Sequence, residues 1–308
     1  MNRINLVTLL DQYNTDDRCR EALESIRWPT GPACLRCGDT DVGEIESRNQ
    51  FCCRSCDYRF SVTAGTIMHR SHLPLRKWFL AIYLMCESKK GMSANQLKRT
   101  LGVQYKTAWH LCHRIREAMG NDPFTGPTLF GVVEVDQTLV GGKAKGKGRG
   151  YTGNKHWVAG AVERGGRVRI ERIPDIRKGT IHDFVRRTVA DEAEAIYTDE
   201  LASHVGLETD TRRHESVNHS AEEWVVGDVH TNSVEGVWSL FKRSIVGSFH
   251  KMSAKHMDRY LEELEFRFNN RANPYIFRDT LARIVRTDPL EYRALVAPAG
   301  NGNGTGGG

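Results

Sequence analysis

Two CxxC pairs, Cys34/Cys37 and Cys53/Cys56, are separated by fifteen residues. Each pair fits a tight turn, and two such turns close a tetrahedral thiolate site around zinc. Four buried free thiols would have no reason to occur in two pairs at this spacing. With thiolates in all four positions the site has no open ligand, so the zinc is expected to be structural. Cys52 adjoins Cys53, but its spacing to Cys56 fits less well, and it is left out of the ligand set. Cys19, Cys86 and Cys112 fall in helical patterns and read as packing residues. In a reducing compartment this pattern reads as metal binding, not as disulfides.

The zinc-binding region occupies residues 1–73 together with a leading helix over 6–26, which ends at Trp28-Pro29 because the residue before proline avoids helical backbone. The whole chain, 308 residues with 39% hydrophobic content, is long enough for about two domains with a real core. Its formal net charge of +6 suits a polyanionic partner without proving one. No apolar run approaches the roughly 20 residues of a membrane span. The opening MNRINLVTLLDQ has too short an apolar piece for a signal peptide. A cytoplasmic protein with no membrane partner is expected.

Residues 74–122 read as a helix-turn-helix DNA-binding region. An amphipathic helix over 75–88 ends before Gly91, and Ser93 is an N-cap for a short helix over 94–101. Gly102-Val103 makes the turn, and a longer helix runs over 104–119. A helix pair joined by a short glycine-containing turn puts its second member in a major groove. Gln104, Tyr105 and Lys106 would meet DNA there, with Arg114 further along. Nine lysines or arginines against two acids in 74–119 agree with that partner. A structural three-helix bundle with a solvated basic face is the competing reading.

Residues 123–290 alternate strands and helices in the manner of a ribonuclease-H-like α/β domain, which makes the chain a multidomain α+β protein. Strands are expected over 129–140, 155–162, 168–173 and 195–197, and a helix over 180–189. The basic loop GGKAKGKGRG, 141–150, joins the first two strands. Asp136 lies within the first strand and Asp199 follows the last, with thirty-five residues between it and Glu235. Glu235 falls in DVHTNSVEGVWSLFKR, 228–243, read as a helix with Asn232, Glu235, Ser239 and Lys242 in one row. Three acids from two strands and a helix can hold two Mg²⁺ ions about 3.5–4 Å apart, which activate an oxygen nucleophile and stabilise the leaving oxygen. Asp136 would bridge the ions, and Asp199 and Glu235 would each hold one. Lys242 would bind the neighbouring phosphate as a point charge, with Arg243 beside it on DNA. Glu134 and Glu200 are the rival ligands, since alternation points Glu134 to the face of Asp136. His230 and Asn232 either orient water or DNA or merely cap the helix. Beyond this, a helix is expected over 253–270 and another over 275–285, and a glycine-rich tail over 291–308 is expected to be disordered.

Taken together, RWPTGPACLRCG (27–38), CRSCDYRFSVTAGTIMHRSHLPLRKW (53–78), VEVDQTLVGGK (133–143), YTDE (197–200), HTNSVEGVWSLFKR (230–243) and KHMDRYLEELEFRFNNR (255–271) resemble the ISXO-type bacterial insertion-sequence DDE transposases that carry an N-terminal zinc ribbon. The resemblance runs from about residue 10 to about 275, and its motifs are specific as a set. It implies a ribonuclease-H-like fold, metal-dependent DNA cleavage and strand transfer with Mg²⁺ or Mn²⁺, and recognition of terminal inverted repeats. It implies the triad Asp136, Asp199 and Glu235 followed by Lys242. Some relatives have Asn at the third acid, where this chain has Glu. Partners would be double-stranded DNA, as element ends and target, and further copies of the chain in a homodimer or larger multimer, with nucleoid association when DNA is bound. A zinc-ribbon/helix-turn-helix regulator and a non-transposing nuclease on the same fold are the alternatives.

Overall fold

The computed structural model describes residues 4–120, 129–141, 155–217, 228–250 and 252–297. Asp122-Pro123 and Gly126-Pro127, which read from sequence as a linker, most of the basic loop 141–150 and the tail from 298 onward lie outside them.

The chain starts with two helices, not the single one expected over 6–26. Asn5 and Thr8 form a capping box for α1 (Leu6–Gln12), and Thr15 accepts from the Arg18 N–H to start α2 (Asp16–Arg27). A capping residue holds extended backbone, so Thr15 interrupts a pattern that would otherwise run on. A small antiparallel sheet follows, of β1 (Val42–Ile45), β2 (Gln50–Cys53) and β3 (Arg59–Phe60). Trp28, Phe51 and Phe60 pack against one another beneath it.

Next come α3 (Leu75–Glu87), α4 (Ala94–Leu101) and α5 (Tyr105–Gly120). Ser93 caps α4 by accepting from the Gln96 N–H, and Gly102, at φ 61°, ends it in the left-handed conformation that glycine tolerates best. Leu9, Leu23, Trp78, Ile82, Leu97 and Ile115 of these helices share one core with Phe277 and Leu281 of α9 (Ile276–Ile284) and Leu295 of α10 (Tyr292–Val296). Residues 276–295 therefore complete the N-terminal helical core, although the sequence pattern groups most of them with the domain before. Residues 291–297, read from sequence as part of a disordered tail, instead contribute α10, whose Leu295 is buried.

Between these helical parts lies a five-stranded sheet in the order β6-β5-β4-β7-β8. β4 (Val132–Gly141), β5 (Lys155–Glu163) and β6 (Val168–Ile173) are antiparallel, whereas β7 (Ala195–Asp199) runs parallel to β4 and β8 (Arg213–Val217) parallel to β7. Alternation divides β4 between two cores. Val133 and Val135 face α6 (Lys178–Thr188), packing with Phe184 and Val185. Val140 faces α7 (Asn232–Ser244) and α8 (Met257–Asn269), packing with Val237 and Leu261. Glu134 and Asp136 share that second face.

Several contacts tie the sheet unit to the helical unit, two of them deep in the junction. Arg116 of α5 and Glu263 of α8 form a buried ion pair at 2.6 Å. Five residues of π-helix, Ile245–Phe249, continue α7, and Phe249 lies so close to Gly91 that a Cβ there would approach its ring to 2.4 Å.

Candidate active site and zinc site

In the ribbon, Cys34 and Cys56 Sγ are 3.6 Å apart, Cys37 and Cys53 also 3.6 Å, and Cys37 and Cys56 3.5 Å. A tetrahedron of sulfurs each about 2.3 Å from zinc has edges of roughly 3.8 Å, so the quartet fits that ion. Among the described residues it is the one group of three or more His, Cys, Asp or Glu whose ligand atoms all lie within 4.8 Å of one another. Cys52 is outside it, its thiol turned to the Cys53 carbonyl.

The acidic site is built by strand register. Glu134 pairs with Tyr197 across β4 and β7. Two residues further along each parallel strand, Asp136 and Asp199 come side by side on the same face. Burial raises the pKa of Asp136 above the ordinary carboxylate range; the Gln137 N–H lowers it, the charge of Asp199 raises it further, and the Trp238 N–H lowers it. The effect of Asp199 marks the two carboxylates as electrostatic neighbours.

The third acid arrives on α7. Glu235 is exposed in the first turn, and its Oε1 accepts from the Thr231 hydroxyl at 3.2 Å. One turn on, Trp238 donates from Nε1 to Asp136 Oδ2 at 2.8 Å, which fixes the strand carboxylate against the helix. Asp136, Glu235, Ser239, Lys242 and Arg243 line one open cleft of about 650 Å³. Asp199 is not among its lining residues. It is held from behind, its Oδ1 lying 2.8 Å from His204 Nδ1. His204, 1% exposed, reaches Gln137 Oε1 through its other nitrogen at 2.9 Å.

Glu134 shares the face of Asp136, as alternation requires, but its carboxylate is fully engaged. Oε1 accepts from Arg164 Nε at 2.8 Å and the Ser233 hydroxyl at 2.9 Å, and Oε2 from the main-chain N–H groups of Ser233 and Val234 at 2.6 and 3.1 Å. It is buried and caps the start of α7, so it is no rival for a metal. Glu200 is exposed. His230 Nδ1 lies 3.2 Å from Glu134 Oε1, and Asn232 is an exposed first residue of α7.

Trp238, Gly160, Arg164, Gln137 and His204 had no place in the sequence reading. The helical row through Glu235 gave a signal for Trp238, three residues on. Gly160 faces Asp136 across β4 and β5; a Cβ there would come within 2.6 Å of the Trp238 indole. Its missing side chain is the space in which the indole lies.

Gln104, just before α5, and Tyr105 and Lys106 in its first turn are exposed, and the Lys106 ammonium sits 4.3 Å from the centre of the Tyr292 ring. Arg114, expected to touch DNA, is corrected by its surroundings. It is 8% exposed and spends its guanidinium on the carbonyls of Leu290 and His69. Residues 108–119 of α5 bury most of their side chains in the helical core, leaving the first turn as its open end.

Residues 128–269 match the family model of the ISXO2-like transposase domain, and residues 14–59 that of the transposase zinc-ribbon domain. An uncharacterized protein in transposable element ISH50 of Halobacterium salinarum is 31% identical over 278 residues, covering 83% of this chain and 91% of that protein. An uncharacterized transposase-like protein of Haemophilus influenzae is 28% identical over 98 residues, 32% of this chain and 77% of that one. Among solved structures, the Mos1 strand transfer complex aligns over 68% of this chain and 75% of its own, at 12% identity and a TM-score of 0.30, an overlap too slight to argue from. The chain belongs to the ISXO2-like transposase family. Among the described residues, no helix is long and apolar enough to cross a membrane.

Proposed function

We propose that the protein is a DNA transposase of an insertion sequence, which binds terminal inverted repeats and catalyses DNA strand cleavage and strand transfer at the cleft between β4 and α7. The observation that carries this reading is the β4–β7 register, in which Glu134 pairs with Tyr197 and Asp136 and Asp199 each follow two residues on, with Glu235 lining the same cleft as Asp136. The order β6-β5-β4-β7-β8, three antiparallel strands followed by two parallel ones, supports a ribonuclease-H-like domain. Asp136, Asp199 and Glu235 are the residues that would hold Mg²⁺, with Mn²⁺ able to substitute. Two such ions supply an activated oxygen nucleophile and a stabilised leaving oxygen.

The chain's own residues do the rest. Lys242 and Arg243, exposed on the cleft side of α7, attract and orient the phosphates flanking the scissile bond. Trp238 holds Asp136 in register with them. α4 and α5 form a helix-turn-helix whose Gln104, Tyr105 and Lys106 enter a major groove of the element end. The ribbon, its zinc held by Cys34, Cys37, Cys53 and Cys56, stiffens the N-terminal side of that unit. Joining two element ends to one target needs at least two copies on DNA, so a homodimer or larger multimer assembles there, in the cytoplasm and on the nucleoid.

The test is Asp136→Asn, assayed with Mg²⁺ on labelled DNA carrying element ends. Loss of cleavage with end binding retained is the expected result. Unchanged behaviour would leave a DNA-binding regulator as the better description, and cleavage by the wild type without strand-joined products would leave a nuclease.

A further inference from the structure

One layer below the three acids lies a second set of residues that none of the chemistry above uses. Glu134 precedes Asp136 by two residues, Tyr197 precedes Asp199 by two, and Ser233 precedes Glu235 by two. Arg164, just after β5, meets Glu134 and Tyr197 directly and Ser233 through Glu134. It donates from Nε to Glu134 at 2.8 Å and from Nη2 to the His230 carbonyl at 3.1 Å, and its guanidinium lies 4.7 Å from the centre of the Tyr197 ring. Its own main-chain N–H donates to the Val132 carbonyl of β4. Glu134, wholly buried, then grips the first turn of α7 through two main-chain N–H groups and the Ser233 hydroxyl.

Four donors on a carboxylate fill about all of its lone-pair sites, so Glu134 has no capacity left for an ion. Its place is where a negative charge is best accommodated, at the N-terminal end of a helix whose first N–H groups have no partner within the helix. Thr231, at the cap position, makes no side-chain cap bond of its own. The start of α7, and with it the height of Glu235 above the sheet, is thereby set by a side chain of the strand that carries Asp136.

We propose that Glu134, braced by Arg164, is a positioning residue for the acidic triad, fixing β4, β7 and the first turn of α7 in the register that lets Asp136, Asp199 and Glu235 share divalent ions. This rests on the reading of those three acids as metal ligands. It separates Glu134 from them: it touches neither ion nor DNA and acts through the helix it caps.

Mn²⁺ titration of the full-length, zinc-loaded protein, read from the electron paramagnetic resonance signal of the free ion, tests it beside thermal melting and binding of element-end DNA. Glu134→Ala is expected to retain end binding while losing roughly tenfold or more in Mn²⁺ affinity, the usual scale for residues that orient ligands. Cleavage should then need correspondingly more Mn²⁺, and excess ion should recover part of the rate, which a merely less stable protein would not show. Glu134→Gln, which still accepts from the main-chain N–H groups but gives Arg164 no charge, should fall between the two. Wild-type Mn²⁺ affinity in a folded Glu134→Ala overturns the proposal. If that variant does not fold, Glu134→Gln decides on the same criterion. If Asp136→Asn binds Mn²⁺ as well as the wild type does, the metal reading itself fails and the positioning role falls with it.

Discussion

Trp238 and Gly160 show how little room the acidic site leaves for change. The indole lies across β5 at the one position without a side chain and donates to Asp136 from there. In Gly160→Ala the new Cβ would sit 2.6 Å from the ring, well inside contact. The indole must move, at a cost of about 1–3 kcal/mol for overpacking, and the Asp136 hydrogen bond goes with it. Trp238→Phe loses that donor outright, which costs about 1.5–3 kcal/mol for a bond to a charged group, but its shorter ring vacates the space above Gly160. The two changes share a contact and should not add. In a double-mutant cycle read by urea denaturation, Gly160→Ala should destabilise the Trp238→Phe protein clearly less than the wild type. Equal costs in both backgrounds would mean that the glycine is not there for the indole.

At the scale of elements, the α5–α8 interface has an unusual composition for a core. Arg116 and Glu263 are paired there, and His113 is buried with neither ring nitrogen hydrogen-bonded. Burial, then the charges of Arg116, His256, Arg259 and His110, push the His113 pKa down to about 2. The folded protein thus keeps this imidazole neutral, whereas the unfolded chain protonates it near pH 6.5. Below pH 6.5 the unfolded state binds the extra proton, so stability contributed by the neutral ring is complete above that pH and is lost as the pH falls toward 2. By pH 5 the loss amounts to about 2 kcal/mol. Denaturation midpoints at pH 7 and pH 5 should therefore converge in His113→Phe relative to the wild type; an unaltered pH response would show that His113 takes up its proton without opening the interface. Neither this interface nor the ends of several elements could be read from the sequence. The helix carrying Glu235 and Lys242 was legible because its apolar and polar rows repeat at helical spacing, and the cysteine pairs because metal geometry restricts their separation. β8 was not, because Arg213–Val217 is polar at most positions and owes its strand to pairing with β7. The capping role of Glu134 was equally hidden. Alternation gives the face on which a side chain emerges, but not the helix end that waits there ninety-nine residues away.

For the molecule as a whole, the order of the chain and the order of packing disagree. The helical unit that opens the sequence is finished only by α9 and α10, after the chain has built the five-stranded sheet between. Ile276, Phe277, Leu281, Ile284, Leu290 and Leu295 are all buried in that N-terminal core. Full burial of one such side chain is worth about 1.5–3 kcal/mol, so the six together contribute on the order of 10 kcal/mol, comparable to the entire stability of a typical domain. Three main-chain carbonyls of this segment also receive side chains from elsewhere: Leu290 takes His110 and Arg114 of α5, and Leu295 and Ala297 both take Lys255. A chain ended after residue 272 keeps the sheet, α7, α8 and the ribbon, yet strips one side of the core beneath α3 and α5. Such a truncation should leave the N-terminal helices open to protease while the sheet resists, and its affinity for DNA should fall further than that of any single substitution in the first turn of α5. Equal protection of both halves in limited proteolysis would show instead that α1 to α5 close their core without help. The expected asymmetry follows from the packing itself: the residues that complete the helical unit lie downstream of the sheet, so removing them opens the core of α3 and α5 and leaves the two cores of the sheet intact.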